Sequence, residues 1–297
     1  MLSEEKKNVV CFSNLLRIHY PKLYKELASI LKKEMVECHT IKHTADYWCR
    51  DYMPVQRHDG AFVQFVYNPD YLQDDKAYIT NVDKVIDKMS FGHPTIHKCE
   101  LNLDGGGLVF CRGIDSNYII ITEKIAVDNP MPIHYIEQQL KEIFALPNLQ
   151  VVWLPWDEEE RFGHTDGMVR YIGQTDEGKP IVLVNLSVYE LEYADKVKVI
   201  LSKYFKVVEL KFSQYDDMSW AYINSIQTDR IIIVPGIGNS VTDTEALEQI
   251  NDLYPQYEGR IYQVQMHDFI EEGGGALNCC SWTYQNLKKK GIMLWRN

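Results

Sequence analysis

Residues 230–264, RIIIVPGIGNSVTDTEALEQINDLYPQYEGRIYQV, contain a strand pattern, a helix pattern and a second strand pattern in succession. Arg230–Val234 and Ile261–Val264 are rich in Ile, Val and Tyr, which is typical of β-strands. Between them lies the helix pattern Thr242–Leu253, which opens with a T-x-x-E capping box and should therefore begin at Thr242. A strand, a helix and a strand in this order predict an α/β fold.

The same alternation extends over the rest of the chain. Further strands are predicted at Val9–Phe12, Phe62–Tyr67, Tyr118–Thr122, Val151–Leu154, Ile181–Asn185 and Val207–Phe212. Further helices are predicted at Lys22–Lys33, Ile133–Phe144 and Leu191–Tyr204. Strands outnumber helices more than a doubly wound βαβ fold would require. No linker of Pro and Ser and no low-complexity segment interrupts the pattern, so we expect a single domain spanning residues 1–297.

Composition limits the classes of function. The chain has 297 residues, of which 45% are apolar and 25% charged, the mix of a soluble globular protein. Lys and Arg total 31 against 42 Asp and Glu, a formal charge of -11. Nucleic-acid surfaces need clustered basic residues, so we expect no nucleic-acid partner. A negative field instead attracts a small cationic substrate.

The cellular location of the protein is predicted from the absence of a membrane-helix pattern and of a signal-peptide pattern. No window reaches the ~18–20 uninterrupted apolar residues of a membrane helix, and residues 1–7, MLSEEKK, do not resemble a signal peptide. The seven cysteines are an odd number without framework spacing, which predicts free thiols in a reducing, cytoplasmic setting. No membrane partner is expected, and an assembly of identical subunits is left open.

Four segments are dense in reactive or charged side chains, and three of them also contain glycine. They are DYWCRDYMP at 46–54, LDGGG at 103–107, GHTDG at 163–167 and GGGALNCC at 273–280. Glycine lets the backbone approach a ligand closely, so three glycine runs in one chain indicate one crowded site. The alternative is that each run is a turn between strands.

The third segment suggests proton transfer. If residues 163–167 are extended, His164 and Asp166 point to the same face, because side chains alternate along a strand. A histidine beside a carboxylate suits proton transfer next to a bound cation. Half of a metal site is the competing interpretation, but it needs further ligands, and we expect neither a metal nor another cofactor.

The fourth segment contains two adjacent cysteines. Buried cysteines commonly behave as small apolar side chains, and at least one of Cys279 and Cys280 should do so. The preceding glycines nevertheless place a thiol beside open backbone, and a cysteine with a histidine elsewhere is the minimum for nucleophilic catalysis.

Taken in order, the segments resemble guanidino-group-modifying enzymes, specifically the agmatine deiminases and the bacterial peptidylarginine deiminases. The matching residues are Trp48, Arg50, Asp51 and Pro54; Asp104-Gly105-Gly106; Gly163, His164, Asp166 and Arg170; Tyr222 and Asn224 before Ile231–Pro235; and Gly273-Gly274-Gly275 followed by Cys279. The resemblance implies an α/β five-bladed propeller, the pentein fold, built from pseudo-fivefold ββαβ units. The stretch 65–71 lacks the tryptophans of agmatine deiminases, and Asn278 replaces a family histidine.

The resemblance also implies roles for individual residues. A guanidinium is planar and presents a fork of N–H donors, which Asp51 and Asp166 would grip bidentately. Cys279 would attack the guanidinium carbon to form a thiouronium, and His164 would protonate the departing ammonia and then activate water. The other implied substrate-binding residues are Asp104, Asn224, Trp48, Arg50 and Gly274.

Several activities fit this resemblance. The first is hydrolysis of agmatine or a related small guanidine to a ureido product and ammonia. Peptidylarginine, free arginine and methylarginines are alternative substrates, and an amidinotransferase would share the covalent intermediate. A catalytically silent, guanidinium-binding relative is the rival of a different class, but binding alone would not require the cysteine and histidine.

Overall fold

The computed structural model describes residues 4–89, 95–158 and 160–286. The strands are β1 (Val9–Ser13), β2 (Glu37–Ile41), β3 (Val55–Gln56), β4 (Phe62–Val66), β5 (Ile96–Asn102), β6 (Val109–Arg112), β7 (Asn117–Thr122), β8 (Leu149–Leu154), β9 (Val169–Gln174), β10 (Pro180–Val184), β11 (Lys206–Glu209), β12 (Ile226–Gln227), β13 (Ile232–Gly236), β14 (Ile261–Gln265) and β15 (Ser281–Tyr284). The α-helices are α1 (Asn14–His19), α2 (Pro21–Lys33), α3 (Cys49–Tyr52), α4 (Val82–Asp87), α5 (Lys124–Asp128), α6 (Ile133–Phe144), α7 (Leu191–Tyr204), α8 (Ser240–Leu253) and α9 (His267–Gly273).

These strands form five sheets of three strands each, and every sheet has the same plan. The sheets are β3-β4-β5, β6-β7-β8, β9-β10-β11, β12-β13-β14 and β15-β1-β2. In each, the first strand is antiparallel to the second, and the second is parallel to the third. Helices connect the second strand to the third, as parallel pairing requires. The predicted five-bladed α/β propeller of ββαβ units is thereby confirmed.

The fifth blade joins the two ends of the described chain. β15 pairs with β1 in antiparallel register, with Val9 opposite Tyr284 and Phe12 opposite Ser281. This blade therefore takes its first strand from the end of the sequence and its other two strands from the beginning. The pairing closes the five blades into a ring.

The apolar core lies between each sheet and its helices. In α2 the buried residues are Leu23, Leu27 and Leu31, and α6 buries Ile136, Leu140 and Phe144. A spacing of four places these side chains on one helical face, which then covers its sheet. No helix in the described part of the chain is long and apolar enough to cross a membrane.

Most predicted elements are confirmed, but two element starts within residues 230–264 differ from the prediction. α8 begins at Ser240, because Asn239 is the N-cap and its side-chain oxygen accepts the N–H groups of Val241 and Thr242. Glu245 does not complete a capping box; it accepts the N–H of Ser213 at 3.0 Å. The preceding strand begins at Ile232 rather than at 230, because residues 228–231 form a hydrogen-bonded turn.

Candidate active site

Five short segments meet in this ring, and each immediately precedes the first strand of a blade. They are α3, the 3₁₀ turn Gly105–Gly107, the 3₁₀ turn Thr165–Gly167, the 3₁₀ helix Asp217–Ile223 with Asn224, and residues 274–280. Because the five blades repeat one plan, equivalent positions in the blades face one another, and segments far apart in sequence become neighbours.

Hydrogen bonds join these five segments in a closed circuit. The bonds run from Gly106 N to Asp51 Oδ1 (3.1 Å), Thr165 Oγ1 to Gly107 O (3.0 Å), Asn224 Nδ2 to Asp166 O (3.3 Å), Asn278 N to Asn224 O (3.0 Å) and Arg50 N to Cys279 O (3.0 Å). Buried backbone groups need partners, so each blade fixes the position of the next one.

Three predicted catalytic side chains surround one point above Gly106. A Cβ atom built on Gly106 would lie 2.6 Å from Asp51 Oδ1, 3.1 Å from His164 Nδ1 and 3.3 Å from Asp166 Oδ1. The φ of Gly106 is not positive, so close approach rather than backbone conformation requires glycine here. The three side chains, one histidine and two carboxylates, thus enclose a small polar space above Gly106.

His164 lies between two carboxylates. Its Nε2 is 3.1 Å from Asp104 Oδ2, and its Nδ1 is 3.7 Å from Asp51 Oδ1. Burial lowers the pKa of His164, but the carboxylates of Asp51 and Asp104 overcome this effect and raise it to about 10. Burial raises the pKa of Asp51, and His164 opposes that rise. Tyr71 donates to Asp104 Oδ2 at 2.6 Å and so holds the carboxylate that orients the imidazole.

Asp166 is held from one side and open on the other. Its Oδ2 accepts a hydrogen bond from Asn278 Nδ2 at 2.7 Å and lies 3.8 Å from Cys279 Sγ. Asn278 Oδ1 in turn accepts from the guanidinium of Arg50 at 2.8 Å. Asp166 Oδ1 is buried and has no hydrogen-bond partner. A buried carboxylate oxygen without a donor is costly, so this atom is ready to accept one from a ligand.

The two adjacent cysteines have different surroundings. Cys279 is 7% exposed, and its N–H donates to Asn224 Oδ1 at 3.2 Å. Burial raises the pKa of the Cys279 thiol well above its usual value, and the Asp166 and Asp51 carboxylates add to the rise. Cys280 is completely buried and belongs to an apolar cluster.

Two chambers open onto this centre, and Phe162, His164, Gly274 and Cys279 line both. Chamber A has a volume of about 550 Å³, and its wall includes Asp166, Trp156, Tyr189, Tyr193, Asp217 and Trp220. Chamber B has a volume of about 370 Å³, and its wall includes Asp51, Trp48, Tyr71, Asp75, Tyr78 and Glu272. The described residues contain no group of three or more His, Cys, Asp or Glu side chains placed to hold a metal ion.

Comparison with protein families agrees with this geometry. The sequence model of the Porphyromonas-type peptidyl-arginine deiminases matches residues 5–284. The chain belongs to this family. It is thus a member of a guanidino-modifying deiminase family. A search of curated protein sequences found no match.

Solved structures show the same fold as this deiminase-family chain. Agmatine deiminase from C. jejuni is 19% identical, with a TM-score of 0.72 over 96% of this chain and 95% of that one. Agmatine deiminase from Enterococcus faecalis is 17% identical, with a TM-score of 0.69 over 95% and 94%. DDAH from Pseudomonas aeruginosa is 13% identical, with a TM-score of 0.56 over 94% and 100%.

The predicted substrate-binding residues of this deiminase-family chain occupy two kinds of position. Trp48 and Gly274 line chamber B, and Gly274 also lines chamber A. Arg50 and Asn224 line neither chamber. Arg50 contacts Asn278 and Thr283 instead, and Asn224 is fully buried behind Asp166 and Cys279. Asp104 reaches the centre through its contact with His164.

The predicted extended conformation of residues 163–167 is wrong, but His164 and Asp166 do face the same space, as that conformation implied. Residues 165–167 form a 3₁₀ turn rather than an extended segment. His164 and Asp166 meet at Gly106 because the turn starts after His164 and brings Asp166 Oδ1 back toward it.

Sequence reasoning assigned no role to Tyr71, Phe162 or Asn278. Tyr71 lies in the stretch that departs from agmatine deiminases, and Asn278 stands where the resemblance predicts a histidine. Phe162 directly precedes the GHTDG segment and gave no signal of its own. The aromatic ring of Phe162 lies beside both Tyr71 and His164, with ring centroids 4.9 Å and 5.9 Å away.

Proposed function

We propose that this deiminase-family chain, as a single catalytic domain, hydrolyses a guanidino group to a ureido group and ammonia, with Cys279 as nucleophile. The observation that carries the proposal is the buried, unpartnered Asp166 Oδ1, which faces Asp51 Oδ1 across the space above Gly106. A guanidinium supplies both the positive charge and the N–H donors that these two carboxylates lack.

The chemistry follows from the neighbours of that space. Asp51 and Asp166 hold the guanidinium, and Cys279 Sγ attacks its carbon to give a tetrahedral adduct. Collapse of the adduct expels ammonia, which takes a proton from His164, and leaves a thiouronium on sulfur. His164 then removes a proton from a water molecule that attacks the same carbon, and the C–S bond breaks to give the ureido product.

The electrostatics support a thiol that is activated by its own substrate. In the free protein, burial and the two carboxylates raise the pKa of Cys279, which keeps the thiol protonated. A bound guanidinium offsets both carboxylates and places a positive charge next to sulfur, which favours the thiolate, so the thiol releases its proton to solvent before Sγ attacks. The raised pKa of His164 keeps it protonated, as a donor to the leaving group must be.

Chamber A favours a substrate with a positively charged tail. Its acidic residues are Asp157, Glu160, Asp166, Asp217 and Glu271, and no Lys or Arg lines it among the described residues. Agmatine or a similar small guanidine with a distal amine fits this charge, whereas the carboxylate of free arginine would meet like charge. A cysteine-to-serine variant of C. jejuni agmatine deiminase has been solved with substrate bound.

A ureido-product assay over agmatine, free arginine, methylarginines and arginine-containing peptides tests the substrate class. We expect agmatine to have the highest kcat/KM. Preference for a peptide or for free arginine would contradict the charge argument, and transfer of the amidino group to an added amine would identify an amidinotransferase.

Cysteine variants test the mechanism. Cys279→Ala should abolish turnover, because it removes the thiol whose Sγ lies 3.8 Å from Asp166 Oδ2. Cys280→Ala is the matched control and should keep most of the activity, because Cys280 packs in the apolar core. Activity in Cys279→Ala, or equal loss in both variants, would remove the assignment. Binding without turnover in the unsubstituted protein would identify a silent guanidinium-binding relative.

A further inference from the structure

The reacting centre opens in two directions, although release of ammonia needs only a narrow exit. Chambers A and B meet at Cys279 and His164, and each is large enough for an organic group. A guanidine with one substituent would fill one chamber and leave the other without a ligand. The second chamber therefore leaves room for a substituent on the nitrogen that departs from the guanidine.

The two carboxylates assign one side of the guanidinium to each chamber. Asp166 lines chamber A, whereas Asp51 lines chamber B. Their Oδ1 atoms face the same space above Gly106. Since the three nitrogens of a guanidinium diverge from one carbon in a plane, a group held between these carboxylates directs one nitrogen toward each chamber.

The wall of chamber B suits an amine with a hydrocarbon chain. Trp48, Tyr71 and Tyr78 provide aromatic surface for the chain. Asp75 and Glu272 provide negative charge near the outer end, and both are exposed. With Asp46 and Asp51, four acidic side chains line chamber B. Arg161 is the only Lys or Arg among the described residues that line it. An alkylamine that carries a second positive charge matches this combination.

We propose that the protein hydrolyses N,N′-disubstituted guanidines, with the retained substituent in chamber A and the leaving amine in chamber B. This inference rests on the proposed function, because it uses the same nucleophile and clamp. Cys279 Sγ bonds to the guanidinium carbon, and the C–N bond to the chamber B nitrogen breaks. That nitrogen leaves with a proton from His164, and water then replaces sulfur. One guanidinium and one water thus give one urea and one ammonium-form amine.

The test compares agmatine with N,N′-bis(4-aminobutyl)guanidine. Both substrates should yield 4-aminobutylurea, so one ureido assay measures both, while the second product is ammonia from agmatine and 1,4-diaminobutane from the disubstituted compound. We expect 1,4-diaminobutane in a one-to-one ratio with the urea. Turnover of agmatine alone would overturn the inference and leave the proposed function intact. Turnover of neither compound would overturn both.

A variant that fills chamber B provides the second arm. Ala45 is half-buried in the chamber B wall, and Val188 is half-buried in the chamber A wall. Ala45→Trp should lower the ratio of kcat/KM for the disubstituted guanidine to that for agmatine by about tenfold or more, as expected when a pocket loses room for a side group. Val188→Trp is the matched control and should lower both values together.

A charge variant covers the case in which Ala45→Trp fails to fold. Asp75 is exposed, so Asp75→Lys should be tolerated by the fold. It should weaken turnover of the bis(4-aminobutyl) compound more than that of N-(4-aminobutyl)-N′-butylguanidine, whose leaving amine has no second charge. Equal effects on the two compounds would show that the leaving group does not occupy chamber B.

Discussion

Gly106 shows how a residue without a side chain shapes the centre. The space that it leaves is bounded by Asp51, His164 and Asp166, and a methyl group there would come within 2.6 Å of the Asp51 carboxylate. We therefore expect Gly106→Ala to lower kcat/KM strongly, because the methyl group would occupy the proposed position of the guanidinium. Gly107→Ala is the control, since its Cβ would meet only Ile125 at 3.7 Å. Steady-state kinetics and a thermal melt check both variants; full activity in Gly106→Ala would contradict this placement of the substrate.

His164 links the centre to the stability of the fold. Its pKa of about 10 in the folded protein lies above the unfolded value of about 6.5, so folding is favoured by proton binding between these values. The stabilisation is complete below about pH 6.5 and is lost as pH rises toward 10. The difference in the free energy of unfolding between wild type and His164→Gln should therefore shrink over this range. Urea denaturation at several pH values measures it, and a constant or growing difference would show that His164 is neutral when folded.

For individual residues, the sequence predicted which side chains lie at the centre better than it predicted which residues contact them. Motif order grouped Asp51, His164, Asp166 and Cys279, and the structure brings these four side chains to one centre. The hydrogen bonds and ring contacts that hold these side chains in place could not be predicted from the sequence. Tyr71 supports His164 through its hydrogen bond to Asp104 and through a direct ring contact, and such contacts depend on how blades meet rather than on any local pattern.

Among the elements, α8 offers the clearest test of local chemistry. Asn239 caps its first turn by accepting the N–H groups of Val241 and Thr242. Asn239→Ala should lower the free energy of unfolding by about 1 kcal/mol, because the cap is lost. Ser240→Ala is the matched control, since Ser240 is exposed and is the first residue of the helix proper. A urea titration compares them, and an equal loss in the two variants would argue against the cap.

Long elements were predictable and short ones were not. The bounds of α6 and α7 follow from the sequence, because their apolar stripes repeat over three or more turns. β3 and β12 have two residues each, too few for an alternation to be visible. The centre is built next to these short strands, so the elements that matter most for the site carry the weakest sequence signal.

For the whole molecule, ring closure makes the position of the chain ends arbitrary. Asn286 donates its N–H to Asn8 Oδ1 at 2.7 Å, so a Gly/Ser linker can join Asn286 to Glu4. A circular permutant opened between Asp176 and Glu177, in the exposed turn between β9 and β10, should keep most of its activity. One opened between Val182 and Leu183, in the buried centre of β10, should not fold. Circular dichroism and the ureido assay distinguish them, and an unfolded first permutant would contradict the equivalence of the blades.

The number of blades could be predicted only through family resemblance. Periodicity along the chain predicts strands and helices, but the pairing of β15 with β1 joins residues from opposite ends of the sequence. No local pattern specifies such a pair. The repeated ββαβ plan is a property of the backbone, because the blades differ in their residues.

The closing pair also sets the order of events on the ribosome. The two carboxylates and the histidine are synthesised well before Cys279, and β15, which closes the ring, begins two residues after that cysteine. At roughly 5–20 residues per second, β1 waits on the order of tens of seconds for its antiparallel partner. During that interval one edge of β1 is open to pairing with other chains. Cys279 is synthesised just before β15, the last strand of the described residues, so a chain that ends before them lacks the assembled centre.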